Sequence, residues 1–175
     1  RGTDQPFLLY VPYSAPHYPM HAPKSYLDRY PELPSDRRIM AAMISALDDG
    51  VGSIVNALKA SGEYENTMIF FSSDNGPSRE ARNWLDGNED HYYGGTAGIF
   101  RGHKGSIYEA GIREPTIMSF PGRIPAGQVC GQVGAMFDVL PTFFDFAGLD
   151  LPKDLQIDGK SVAQTVTEGL DSPHH

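Results

Sequence analysis

Apolar residues recur at spacings of three and four through Ile39, Met40, Met43, Ile44, Leu47, Val51, Ile54, Val55 and Leu58. That period predicts an amphipathic helix. Ser35 suits its N-cap, Asp36 suits the first turn, and Gly62 after Ser61 predicts its end. Two segments flank this helix and read as buried strands, the first a continuous apolar run. One is Phe7 to Val11, and the other runs from Asn66 into Asp74-Asn75-Gly76. Strand, helix, strand predicts a parallel sheet with helical crossovers, whose ligand crevice lies beyond the carboxyl ends of the strands. Thr116 to Phe120 reads as a further strand, followed by turns at Pro121-Gly122 and Pro125-Ala126-Gly127. A second helix is predicted from Asp138, its N-cap, through Phe146, with Gly148 as its stop.

Between these periodic segments lie loops, and they hold most of the residues able to do chemistry. Ser14 to Pro23 contains three prolines, so His17 and His21 cannot share a regular helix face and are not a zincin pair. Residues 77 to 106 are polar and show no sustained period, and long insertions of that kind in compact domains tend to be functional.

The 175 residues include 40% hydrophobic ones, enough for a buried core in one domain, and the 19 glycines and 14 prolines fit a scaffold with many shaped loops. A net charge of −8 argues against a nucleic-acid binder, which needs Lys and Arg gathered on one face. The single cysteine, Cys130, excludes an internal disulfide framework and a Cys-rich zinc site, and reads as a small buried hydrophobe. The apolar runs are broken by Pro, Gly or Asp before they reach bilayer length, so no membrane span is expected. The Asp48-Asp49 pair reads as the solvated face of the long helix.

Asp74 and Asn75 end a strand with two oxygen donors of different charge. That set suits a hard cation such as Ca2+ or Mg2+ better than zinc, and equally suits an Asx turn leading into Gly76. In Arg101-Gly102-His103-Lys104-Gly105-Ser106, His103 and Lys104 stand between glycines that let backbone approach a ligand. The stretch is either an oxyanion grip or a polar surface turn, and its order of Lys and Gly is not that of a P-loop. His17, alone in its loop, is placed beyond a predicted strand and so toward the crevice.

Taken in order, five blocks resemble the formylglycine-dependent sulfatases. They are Pro-Phe-Leu-Leu-Tyr with Ala-Pro-His-Tyr-Pro, Asn-Thr-Met-Ile-Phe-Phe-Ser-Ser-Asp-Asn-Gly, Gly-His-Lys-Gly-Ser-Ile-Tyr-Glu-Ala-Gly-Ile-Arg-Glu-Pro, Phe-Pro-Gly-Arg-Ile, and Asp-Val-Leu-Pro-Thr-Phe-Phe-Asp-Phe-Ala-Gly. The resemblance implies an α/β fold: the alkaline-phosphatase-like sandwich, with a mostly parallel central sheet flanked by helices, present here as a fragment. Residues 1–175 would form one partial catalytic domain, later in order than the nucleophile segment. It also implies that Asp74 and Asn75 bind calcium, that His17 contacts the sulfate, and that Lys104 contacts sulfate and leaving oxygen. The substrate would be a sulfated small molecule or sulfated glycan, and the location periplasmic, secreted or lysosomal.

Two departures from the family pattern stand out. Ala110 occupies the first position of a Gly-Gly pair, which is harmless if its φ is negative. The Cys-x-Pro-Ser-Arg motif that yields formylglycine, and the early Asp-Asp ligands, belong before Arg1, so the 175 residues alone are expected to be inactive. The alternatives are a metal-dependent phosphodiesterase or phosphonate hydrolase of the same superfamily, and a non-catalytic sulfatase-like binding module. The stretch from Pro77 to Phe100, with Trp84, Tyr92 and Tyr93 able to stack on a sugar ring, is expected to line the wall for the alcohol half.

Overall fold

A computed structural model describes residues 5–78 and 95–174. Trp84, Tyr92 and Tyr93, with most of the polar insertion, lie outside the described residues. The chain divides into two compact units, Arg1–Asn56 with Ser73–Pro115, and Ala57–Ser72 with Thr116–His175.

In the first unit a short helix, α1 (Lys24–Leu27), precedes the long helix α2 (Ser35–Ala60). The helix expected from the apolar period is therefore present, with Ser35 as its first residue and the Arg38 N–H bonded to Pro34 O at 2.7 Å. Its apolar stripe buries Met40 and Met43 against Met20, with Ala15, Tyr18, Ala22 and Ile39 packed around them. Met20 is 1% exposed and is an anchor that the proline-rich loop drives into α2. Tyr13 sets its hydroxyl against Gly50, where a Cβ would stand 2.7 Å from it.

Among the described residues, α2 is the one helix long and apolar enough, by length and composition, to cross a membrane, which the sequence reading did not credit to it. Its packing on Met20 and the Arg29–Asp49 ion pair at 3.0 Å on its polar side are those of an amphipathic helix on a core.

In the second unit the end of α2 is closed as expected. Gly62 adopts φ 75, its N–H reaches Lys59 O at 3.2 Å, and the Glu63 N–H reaches Leu58 O at 3.0 Å. This is a Schellman arrangement, which satisfies carbonyls that the last turn leaves open. Strand β1 (Ile69–Ser72) pairs antiparallel with β2 (Thr116–Ser119), in a register that places Ile69 opposite Ser119 and Ser72 opposite Thr116. Helices α4 (Val139–Ala147) and α5 (Ala163–Glu168) follow, while α3 (Glu109–Ile112) belongs to the first unit. Phe120, Phe146 and Ala163 form the core, with Met68, Ile124 and Val166 against it. The Phe120 and Phe146 rings meet edge to face at 5.5 Å, and Arg123 lies over both while its Nη1 donates to Phe146 O at 2.6 Å.

Two expectations need correction. Phe7 to Val11 is not a buried strand. It belongs to no strand among the described residues, and Leu8 and Tyr10 are more than four-fifths exposed. An apolar run states that burial is favourable, but it does not state which neighbour would cover it. Among the described residues the sheet is the two-stranded antiparallel β1–β2 pair. Cys130 is exposed rather than buried, in a stretch between β2 and α4 where its own residue belongs to no helix or strand.

Asp138 also departs from its expected task. It stands at the N-cap position of α4, but its side chain makes no cap bond. It accepts instead from the Ala135 N–H at 2.8 Å and the Lys160 N–H at 2.9 Å, and His174 Nε2 reaches both of its oxygens. Gly148 does stop α4, at φ 68, with the Leu149 N–H on Phe144 O at 2.9 Å.

Candidate functional site

All the described candidate residues belong to the first unit. His17 sits in the loop that Met20 anchors, between cis peptides at Ala15–Pro16 and Tyr18–Pro19. Its Nδ1 lies 2.6 Å from Tyr18 O. A carbonyl only accepts, so Nδ1 carries the proton, and in the neutral imidazole Nε2 is left as an acceptor. That Nε2 lies 3.1 Å from Lys104 Nζ, which has protons to donate, so the ring and the ammonium meet across 87 positions of sequence.

Lys104 is carried by a loop whose shape depends on two glycines in the left-handed region, Gly102 at φ 97 and Gly105 at φ 85. His103, exposed beside it, turns its Nδ1 back to Lys104 O at 2.8 Å, and its N–H meets Ser106 Oγ at 3.2 Å. The structure brings Lys104, not His103, to His17. Ala110 lies in α3 with no left-handed φ and is 1% exposed, so the substitution in the Gly-Gly pair is accommodated.

Asp74 and Asn75 leave the end of β1. Asp74 is exposed, and Asn75 donates through Nδ2 to Gly76 O at 3.0 Å, while Ser73 Oγ donates to Asn75 O at 2.9 Å. With Nδ2 engaged, Oδ1 is the atom of the amide that remains for a cation. Among the described residues no cluster of three or more His, Cys, Asp or Glu could hold a metal. Asp74 and Asn75 thus fit a hard cation by donor type, and they supply two oxygens of the six to eight that Ca2+ takes. Zinc would find no nitrogen or sulfur donor in this pair.

The Asp74-Asn75 segment and the lysine loop are joined by backbone. The Gly76 N–H reaches Gly111 O at 3.2 Å, and the Lys104 N–H reaches Pro77 O at 3.0 Å. Sequence reasoning missed this tie, and it missed Glu114. Burial in the first place, and the negative charge of Asp74 in the second, hold the Glu114 carboxyl above the ordinary carboxylate range. A clustering of acid near an expected cation would have been the signal, but 40 residues separate the two in sequence. Chemically, one cationic nitrogen paired with an imidazole and two oxygen donors, tied to one framework, can grip an oxyanion and move a proton to a leaving oxygen.

A family model described as Sulfatase matches residues 1–149. Arylsulfatase J of Mus musculus is 36% identical over 172 residues, which is 97% of this chain and 26% of that protein. N-acetylgalactosamine-6-sulfatase of Sus scrofa is 35% identical over 169 residues, 97% of this chain and 30% of that protein. The crystal structure of Ps i-CgsB in complex with k-i-k-neocarrahexaose is 32% identical, with a TM-score of 0.86 over 99% of this chain and 36% of that one. The chain therefore spans roughly a quarter to a third of the length of these relatives.

Proposed function

This chain belongs to the sulfatase family, and we propose that it supplies the leaving-group side of the active site of a sulfuric ester hydrolase. The contact between Lys104 Nζ and His17 Nε2 at 3.1 Å carries the proposal. In the reaction, an S–O bond forms to the incoming nucleophile and the S–O bond to the alcohol breaks. The departing oxygen needs a proton, and the sulfate oxygens gather charge.

Lys104 Nζ meets both needs from one position: a fixed cation toward the sulfate, and an N–H already shared with His17 that can pass to the leaving oxygen. His17 is held for this by Tyr18 O on its other nitrogen. Asp74 and Asn75 would hold Ca2+, or Mg2+, which when bound neutralises charge on the sulfate oxygens. The attacking group would be a formylglycine from a segment outside these residues, and the complete catalytic domain would have the alkaline-phosphatase-like sheet. A periplasmic, secreted or lysosomal location belongs to the same proposal.

For the substrate we propose a sulfated glycan or smaller sulfated molecule. Support comes from the oligosaccharide seated in Ps i-CgsB and from the printed name of N-acetylgalactosamine-6-sulfatase. Trp84, Tyr92 and Tyr93 are proposed for stacking on the sugar, with His103 at the rim.

The test is sulfate release by the full-length protein from an aryl sulfate and a panel of sulfated sugars, before and after chelation. Release that chelation abolishes and Ca2+ restores is expected. Release of none of these, by protein whose nucleophile motif is intact, would overturn the proposal.

A further inference from the structure

Four glycines lie near the candidate site, and they are there for two different reasons. Gly102 and Gly105 have left-handed φ values, which glycine adopts without steric cost. Gly76 and Gly111 have no such φ, so their backbone would accept any residue. Space is what they lack. A Cβ on Gly76 would stand 1.8 Å from Ala110 O and 2.8 Å from its carbonyl carbon. A Cβ on Gly111 would stand 2.1 Å from Ser106 O and 2.7 Å from His103 O. The obstructing atoms are mostly backbone, so no side-chain rotation relieves them.

These contacts are linked. Gly76 follows Asp74-Asn75 and lies against the peptide between Ala110 and Gly111, to which its N–H is bonded at 3.2 Å. Gly111 lies in turn against His103 O, which belongs to the peptide that carries the Lys104 N–H. That N–H returns to Pro77 O at 3.0 Å, one residue after Gly76. The path from the metal pair to the lysine and back is thus a closed ring of backbone contacts. Nothing longer than a hydrogen atom stands at either glycine.

We propose that Gly76 and Gly111 are positioning residues that set the separation between the cation end of the site, at Asp74-Asn75, and Lys104 with its partner His17. This rests on the sulfatase function proposed above. A methyl group at Gly76 must push the two segments apart by more than an ångström before ordinary contact is regained. The sulfate held at the cation would then sit too far from Lys104 for the proton to follow the leaving oxygen. A misplacement of that size costs on the order of 10²-fold in rate.

The test uses the full-length protein with Gly76→Ala, Gly111→Ala and, as control, Gly52→Ala, whose Cβ would meet nothing within 4 Å. Each is assayed on 4-nitrophenyl sulfate, which has a good leaving group, and on phenyl sulfate, which needs its leaving oxygen protonated, with rates divided by the folded fraction from melting. The expected result is a fall of about 10²-fold in kcat/KM on phenyl sulfate for both site variants, at least tenfold smaller on 4-nitrophenyl sulfate, and no change for the control.

Equal falls on both esters, or unchanged rates, would overturn the assignment. Failure of both site variants to fold would do so too, because the glycines would then be folding determinants. If the wild-type protein released no sulfate while Gly52→Ala melted normally, the proposed function would fall and take this inference with it. Turnover by wild type and loss on Lys104→Ala, with both esters equally affected by Gly76→Ala, would remove the positioning role alone.

Discussion

Lys104 Nζ and His17 Nε2 stand 3.1 Å apart although 87 positions separate them in sequence. One residue owes its place to a glycine-shaped loop, the other to a proline-rich loop pinned by Met20. If the two act as one proton-donating couple, their removal should not be additive. Lys104→Ala and His17→Ala should each lower kcat on phenyl sulfate by roughly 10²- to 10⁴-fold, and the double variant should lose little more than the worse single one. Steady-state kinetics of the four proteins gives the coupling. Losses that multiply would separate the two roles.

Asp74→Ala and Asn75→Ala should each weaken Ca2+ binding by at least tenfold in the full-length protein, because each removes an oxygen donor from a hard-cation site. Titration against a fluorescent calcium chelator reads this without any assay of activity. Stoichiometric zinc in the purified protein, lost together with activity, would contradict the choice of metal.

Asp138→Ala should be among the more destabilising substitutions in the second unit. Asp138 is 2% exposed, and its carboxylate serves the Ala135 and Lys160 N–H groups and His174. Alanine leaves these donors without their acceptor, at a cost of about 2–4 kcal/mol. Urea unfolding should show this as a lowered midpoint with unchanged slope, and a cost within about 0.5 kcal/mol of zero would assign His174 and the two N–H groups to water instead.

The raised pKa of Glu114 carries a sign for stability. Its folded-state value lies above its unfolded one, so the folded state binds the proton more tightly. The stabilisation is then fully present below the ordinary carboxylate range and is lost as pH rises through the raised value. Glu114→Gln removes that dependence. Melting curves in chelator, where no cation stands beside the two carboxyls, should therefore move in favour of the variant between acid and neutral pH. Parallel curves across that window would contradict it.

What the sequence made legible was local. The period of three and four gave α2, and Gly62 and Gly148 gave the ends of α2 and α4, because a left-handed residue after a helix is a requirement of the next few bonds only. Phe7 to Val11 was misread because an apolar run cannot tell which strand, if any, lies beside it. The antiparallel pairing of Ile69 with Ser119 depends on a contact across 50 residues, for which no local period exists. Asp138 was placed correctly at the head of α4, but its partners Lys160 and His174 lie 22 and 36 residues away and outcompeted the cap. In the candidate site the residue types were visible. The spacing of Gly76 and Gly111 was not, since a glycine needed for room looks like a glycine needed for a turn.

The decisive comparison is kcat/KM of the full-length protein on three esters of the same phenol, a sulfate, a phosphate and a methylphosphonate, for wild type and Lys104→Ala. The sulfate should be the best substrate for wild type, and Lys104→Ala should lower its kcat/KM by roughly 10²- to 10⁴-fold. Faster turnover of the phosphate or methylphosphonate, or a sulfate rate that Lys104→Ala leaves unchanged, would contradict a sulfatase site built around Lys104.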